Sequence, residues 1–309
     1  MEFFKKRAAR KAAKEKVEEA IRQADERTAA KRAVKRDEAL EKVVEKQEAE
    51  TLAAQTEAPD ETVEALREVL ADEPDKRITL TAQTAVAAVF SILQDEKGVR
   101  IEDALGIIGA FAGHMSIRAA LNMSEAENEE RITVLGLSND ETAMYGPAID
   151  DFLISNPRSI FNLVGAGVQL VGGTKLPDPN LLVQEHVRRI GTDGFGIPRV
   201  PEGNQLRETP RNYLIHIWPL LEPHITALEK APDALCAAMG VAAQDLIAQG
   251  KDAINPDIAA EIVLQSAFAT SSIPPAIARQ AMDDSMEERE LAIQKAAQQA
   301  EASADDAST

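Results

Sequence analysis

Cysteine, aromatic residues and long apolar runs are scarce in this 309-residue sequence, and each scarcity removes a class of protein. One cysteine, Cys236, excludes an intramolecular disulfide framework. It lies in an apolar helical run with no histidine near it in sequence, so it reads as a buried, inert thiol. Aromatics make up only 4%, so the core must be built from Ala, Leu, Ile and Val with eight Phe and a single Trp. That composition favours helices over sandwiches.

No stretch comes near 18 uninterrupted apolar residues. The two most apolar segments, Val86–Leu93 and Ile107–Ala112, are short and flanked by charge, which predicts core helices. The basic start, Met1-Glu2-Phe3-Phe4-Lys5-Lys6-Arg7, is not followed by the apolar run of a secretory signal, and the expected location is the cytoplasm. None of the four histidines, His114, His186, His216 and His224, forms a His-x-x-x-His pair, and no cysteine joins them. No metal site and no cofactor are therefore expected.

Glycine and proline are absent from residues 3–57, where Ala alternates with Glu, Lys and Arg up to Ala58-Pro59-Asp60. This predicts a long charged helix, an arm over residues 1–58. A heptad test fails. Val17, Ile21, Ala24 and Thr28 keep a 4-3-4 spacing, but Lys31, Lys35 and Glu38 follow in that register. Leu40, Val44 and Gln47 restart it in another frame, so the arm is not read as a continuous coiled coil. Charge separates the arm from the rest. Residues 1–57 carry 15 basic and 13 acidic side chains, and the remainder 19 and 39, a net of −20. An acidic body repels phosphate backbones, so nucleic acid is not expected on it.

The remainder reads as an acidic multi-helix domain over 59–285, with a helical-to-disordered tail over 286–309 and at most a strand or two. Asp60 caps a helix reaching about Asp72, and Pro74 breaks it. A second helix starts at Thr79 or Thr81, and a third at Ile101. Arg131–Leu137 is the best strand. Asn139 or Asp140 then caps a helical segment interrupted by Gly146-Pro147. Helices follow over Ile160–Val171 and Leu181–Ile190, then a long loop over 191–210 rich in Gly and Pro, which at that length is either functional or hides short strands. Beyond it come Tyr213–Trp218, Leu220–Leu228, Asp233–Met239, Val241–Gln249, Ala259–Thr270, and a last helix from Pro274 toward Ala300. Residues 302–309 read as disordered.

Gly109 and Gly113, four apart, share a helix face and point to close helix packing rather than a ligand groove. Gly165-Ala-Gly167-Val-Gln-Leu-Val-Gly172-Gly173 lacks the Gly-Lys-Ser/Thr ending and the preceding strand of a phosphate loop, and reads as a helix with a glycine cap. The segment Tyr213–Trp218, with the only Trp, reads as core. Arg188, Arg189, Arg199, Arg207 and Arg211 gather in a short span of an otherwise acidic domain, beside His186. Guanidinium groups suit bidentate contact with carboxylate or phosphate, so residues 185–211 are the preferred functional region. There Arg188, Arg189, Arg199 and Arg207 would hold an anion and His186 would move a proton.

Three functions compete. The leading expectation is a non-enzymatic helical interaction or adaptor protein, with a protein partner or self-association. The second is a binder of, or enzyme acting on, an anionic small molecule through residues 185–211. The third is a peripheral membrane or nucleic-acid tether through residues 1–16, where Phe3 and Phe4 would insert and Lys5, Lys6 and Arg7 would meet anions.

Overall fold

The structure, a computed structural model, describes residues 61–123, 131–137 and 142–306. The arm, with Phe3, Phe4, Lys5, Lys6 and Arg7, lies outside the described residues. These belong to one compact unit, Ala58–Thr309. It is mainly α, with nine helices among the described residues: α1 (Glu61–Val69), α2 (Pro74–Leu93), α3 (Ile101–Leu121), α4 (Ile160–Leu170), α5 (Pro179–Arg189), α6 (Pro210–Ile225), α7 (Pro232–Gly250), α8 (Pro256–Ser271) and α9 (Pro275–Asp306). A short helical turn covers Pro147–Ser155. The one sheet among the described residues is an antiparallel pair, β1 (Thr133–Gly136) with β2 (Thr142–Tyr145).

Six of the nine helices begin on a proline. Its fixed φ suits the first turn and its missing N–H is no loss there. This corrects three expectations. Pro74 opens α2 rather than breaking the chain, five residues ahead of Thr79, and α1 stops at Val69 instead of Asp72. Pro219 and Pro223 lie inside α6, which runs unbroken where two helices were expected. Both prolines sit among the buried Trp218, Leu221 and Ile225, whose packing holds the helix together across them. Gly240 likewise does not divide α7: a Cβ there would press on the Leu163 side chain, so the position serves a close contact with α4.

Thr142–Tyr145 is a strand, not the helical segment expected after Asn139 or Asp140. Within it Ala143 is buried, and Thr142, Met144 and Tyr145 are half-buried. The chain then turns at Gly146 with φ +138°, against the Arg131 carbonyl. At the far end α9 runs helical to Asp306, past the expected start of disorder at 302.

The core is organised around α3, buried along nearly its whole length from Asp103 to Ala120. Helices α7 and α8 pack along it, with α2 and α6 completing the sheath. Trp218 of α6 meets Phe111 of α3 edge-on, ring centres 4.9 Å apart, which places the only Trp in the core. Among the described residues α3 alone is long and apolar enough to cross a membrane, and it is sheathed by protein.

Helix α3 approaches α8 most closely at two glycines. A Cβ at Gly109 would lie 2.5 Å from the Val263 carbonyl oxygen, and one at Gly113 would meet the Ala267 carbonyl oxygen closer still. In the same seam Thr270 donates from Oγ1 to the Ala110 carbonyl at 2.7 Å. On the other side of α3, Ser116 lies 3.3 Å from the Cys236 thiol, and burial raises that thiol to about 12. Cys236 is a core group and no nucleophile.

Candidate functional site

Residues 190–209 form a strap with one short helical turn at Glu202–Asn204. Gly191 and Gly196 turn it with φ +78° and +76°, a backbone region that side-chained residues rarely enter. Several of its backbone groups are satisfied by side chains, others by its own turns. Arg189 donates from Nη2 to the Gly194 carbonyl and, at 2.8 Å, to that of Ile197. Gln265 of α8 accepts from the Arg199 N–H and donates back to the Arg199 carbonyl at 3.0 Å. Arg100 donates to the Gln205 carbonyl at 2.5 Å, and Asn204 to the Glu102 carboxylate at 3.1 Å. Leu206 rests on the bare backbone at Gly106.

The strap ends on Asp103, a carboxylate 1% exposed in the first turn of α3. Asp103 accepts from the Arg207 N–H at 2.9 Å and from the Tyr213 hydroxyl at 2.7 Å, and pairs with Arg207 Nε at 3.3 Å. Burial, then the neighbouring Asp103 charge, pushes the Tyr213 phenol upward, so it stays a donor. This latch holds Arg207, whereas Arg189 and Arg199 stay close enough for their charges to interact, with Glu185 beside both. Arg207 lies at Asp103, away from the cleft that Arg189 lines. Arg188 is exposed on α5, and Arg199 reaches Glu185 at 4.0 Å.

His186 sits where α5, the strap and α8 meet. Its ring lies between Phe195 and Phe268, with centres 5.7 and 5.4 Å away, and Nε2 is 2.6 Å from Ser272 Oγ. Burial, then the Arg189 charge, lowers the imidazole to about 4, so it is neutral at ordinary pH. A histidine beside a serine hydroxyl is the start of a nucleophilic pair. Here Ser272 is 1% exposed, so a substrate cannot reach it in this conformation. The adjoining cleft, lined by Leu182, Glu185, His186, Arg189, Gln265 and Phe268 among others, holds about 30 Å³. That is room for one or two waters, against roughly 300–1,000 Å³ for metabolite-sized pockets. Among the described residues no three His, Cys, Asp or Glu side chains gather as a metal site would require.

Ser272 also fixes the hairpin, since its carbonyl accepts from the Met144 N–H at 2.9 Å. The Leu137 side chain reaches Gly191 of the strap. Hairpin, strap, α5 and the end of α8 therefore share one corner. Four apolar side chains on these elements are exposed: Val134 at 60% and Leu135 at 40%, on opposite faces of β1, Leu181 at 57% and Ile197 at 51%. Neither β1 nor α5 contributes a fully buried residue. Sequence reasoning missed Ser272, Gln265 and Asp103, which bear no motif, and it missed the display at Val134 and Leu135. The Ser138-Asn139-Asp140 turn signal between two short runs was a hairpin clue for the last. No family model, curated protein or solved structure matches the chain.

Proposed function

We propose that the protein is a helical interaction protein, and that the corner made by β1, α5 and the strap is its partner-binding surface. The observation that supports this most is the outward set Val134, Leu135, Leu181 and Ile197 on elements tied together through Ser272, His186 and Gly191. Exposed apolar side chains scattered singly are normal, whereas several on one corner mark contact surfaces. The anion-binding alternative has less behind it. Arg189 and Arg207 are bonded to the protein's own carbonyl and carboxylate groups, and the cleft accommodates little more than water.

The test uses the purified full chain as bait, wild type against a Leu181→Asp/Ile197→Asp double variant, with Leu170→Asp as an exposed control away from the corner. A partner kept by wild type and control but depleted at least tenfold by the double variant is expected. Identical capture by all three baits removes the reading. Thermal stabilisation by an anionic metabolite, abolished in an Arg188→Ala/Arg189→Ala variant, would favour the small-molecule reading instead.

A further inference from the structure

The strap tip over 191–197 is fastened by one titratable ring and one tethered cation. His186 carries its ring between Phe195 of the tip and Phe268 of α8, with Nε2 on the Ser272 hydroxyl. Arg189, three residues further along α5, bonds through Nη2 to the Gly194 and Ile197 carbonyls, and its buried Nε has no partner. The guanidinium therefore stays beside the ring for as long as the tip stays closed. Gly191 and Gly196 flank Phe195 with φ of +78° and +76°, and small residues at such turns absorb hinge motion. His186 also lines the small cleft, so protons reach its ring from solvent.

We infer that the tip is an acid-released clasp: one proton taken up by His186 sets its ring against the tethered Arg189, and the conflict is resolved by loss of the Gly194 and Ile197 ties and departure of Phe195. The other charged groups around the ring do not relieve that conflict. On α5, Glu185 has a side chain 52% exposed and faces Arg199 at 4.0 Å, while Arg188 is exposed. On the strap, Arg199 adds its charge to that of Arg189, and Asp193 lies in solvent. Helix α8 brings only Gln265, Phe268 and Ala269 to the cleft, and the two strands of the hairpin carry no charged residue. The tilted phenyl rings return part of the hydration an imidazolium loses, and leave the repulsion in place.

Closed, the imidazole takes its proton only near pH 4, whereas with the tip released it does so at the ordinary 6.5. Between these values the open form binds a proton that the closed form refuses. Opening therefore rises about tenfold for each pH unit of acidification, roughly 300-fold in all. Ile197, one of the exposed apolar groups of the corner, rides on the tip, so partner capture weakens in acid. That last step rests on the interaction reading above; the clasp itself does not.

The test is an NMR titration of the full chain from pH 7.5 downward, following the His186 ring carbons and the backbone amides of Gly194, Phe195 and Ile197. Expected in wild type is one shared midpoint below 6.5 for ring and tip, with the seam amides around Gly113 unmoved at that midpoint. His186→Gln, which keeps a polar partner for Ser272 and takes up no proton, should remove the acid step from the tip. Gly196→Ala touches no neighbour but strains the closed turn, so it should raise the His186 midpoint by about half a unit or more. A ring that titrates while the tip signals stand still overturns the inference. So does an unchanged midpoint in Gly196→Ala, or an acid step that persists in His186→Gln. Should His186→Gln fail to fold, wild type against Gly196→Ala decides. Partner capture at pH 7 and pH 5 then tests the last step. If the tip opens and wild-type capture is equal at both, the interaction reading at Ile197 falls and the clasp stands. Acid loss of capture that His186→Gln fully shares overturns control of the surface by the clasp.

Discussion

The seam between α3 and α8 and the strap over residues 190–209 both hold backbone close to backbone, by opposite means. The seam works by the absence of atoms: Gly109 and Gly113 let the two helices approach until a single added carbon would collide with a carbonyl. The strap works by the presence of polar side chains, since Arg189, Gln265, Arg100 and Asp103 replace the partners its backbone would otherwise find in water. A packed seam fails all at once, because neighbouring helices cannot shift independently. A tethered strap should loosen one tie at a time. Substitutions in the two regions are thus expected to differ in kind as well as in size.

The largest effect is expected at Gly113→Ala, whose methyl would enter the Ala267 carbonyl. It should cost about 4 kcal/mol or more, read as a shifted urea midpoint for the whole domain. A small loss there would mean the helices can slide apart, and the comparison would break.

Next comes acid. Burial, aided by Arg118 and Arg279, lowers the buried His114 from 6.5 to about 3. Between those values the unfolded chain binds a proton at 114 that the folded chain refuses, so stability falls as pH drops. The loss should reach about 3 kcal/mol by pH 4, and a His114→Leu variant should flatten that part of the urea-midpoint profile.

Asp103→Ala leaves the Arg207 N–H and the Tyr213 hydroxyl without their acceptor. A cost of about 2 kcal/mol is expected, with faster amide exchange across residues 200–207. Seam amides should keep their relative protection. Gln265→Ala is the mildest, at about 1 kcal/mol, with faster exchange confined to the strap near Arg199. Global loss of protection in either variant would show the strap to be part of the same cooperative unit as the seam.

The seam was legible in sequence and the strap was not, for a physical reason. Gly109 and Gly113 lie four apart on one apolar helix, so their shared face follows from local periodicity. The strap's partners, Asp103, Arg100 and Gln265, lie tens to a hundred residues away, and no local pattern links them to it. The arginines show the same limit: proximity in sequence suggested one anion site, and the pairing of Arg207 with Asp103, 104 residues away, carried no local signal. Proline was misjudged at Pro74 and Pro219 because a helix start, or a helix held by packed neighbours, tolerates what an isolated helix interior does not.

The central position of α3 also sets a schedule for synthesis. Residue 121 completes this helix, yet the helices that sheathe it, α7 and α8, are finished only at Ser271, about 150 residues later. At ordinary translation speeds, roughly 10–30 s separate the two events. Through that interval the nascent chain exposes a span with the length and hydropathy of a membrane segment. Until the last third of the domain emerges, the helices that sheathe this span in the finished fold are not there to cover it.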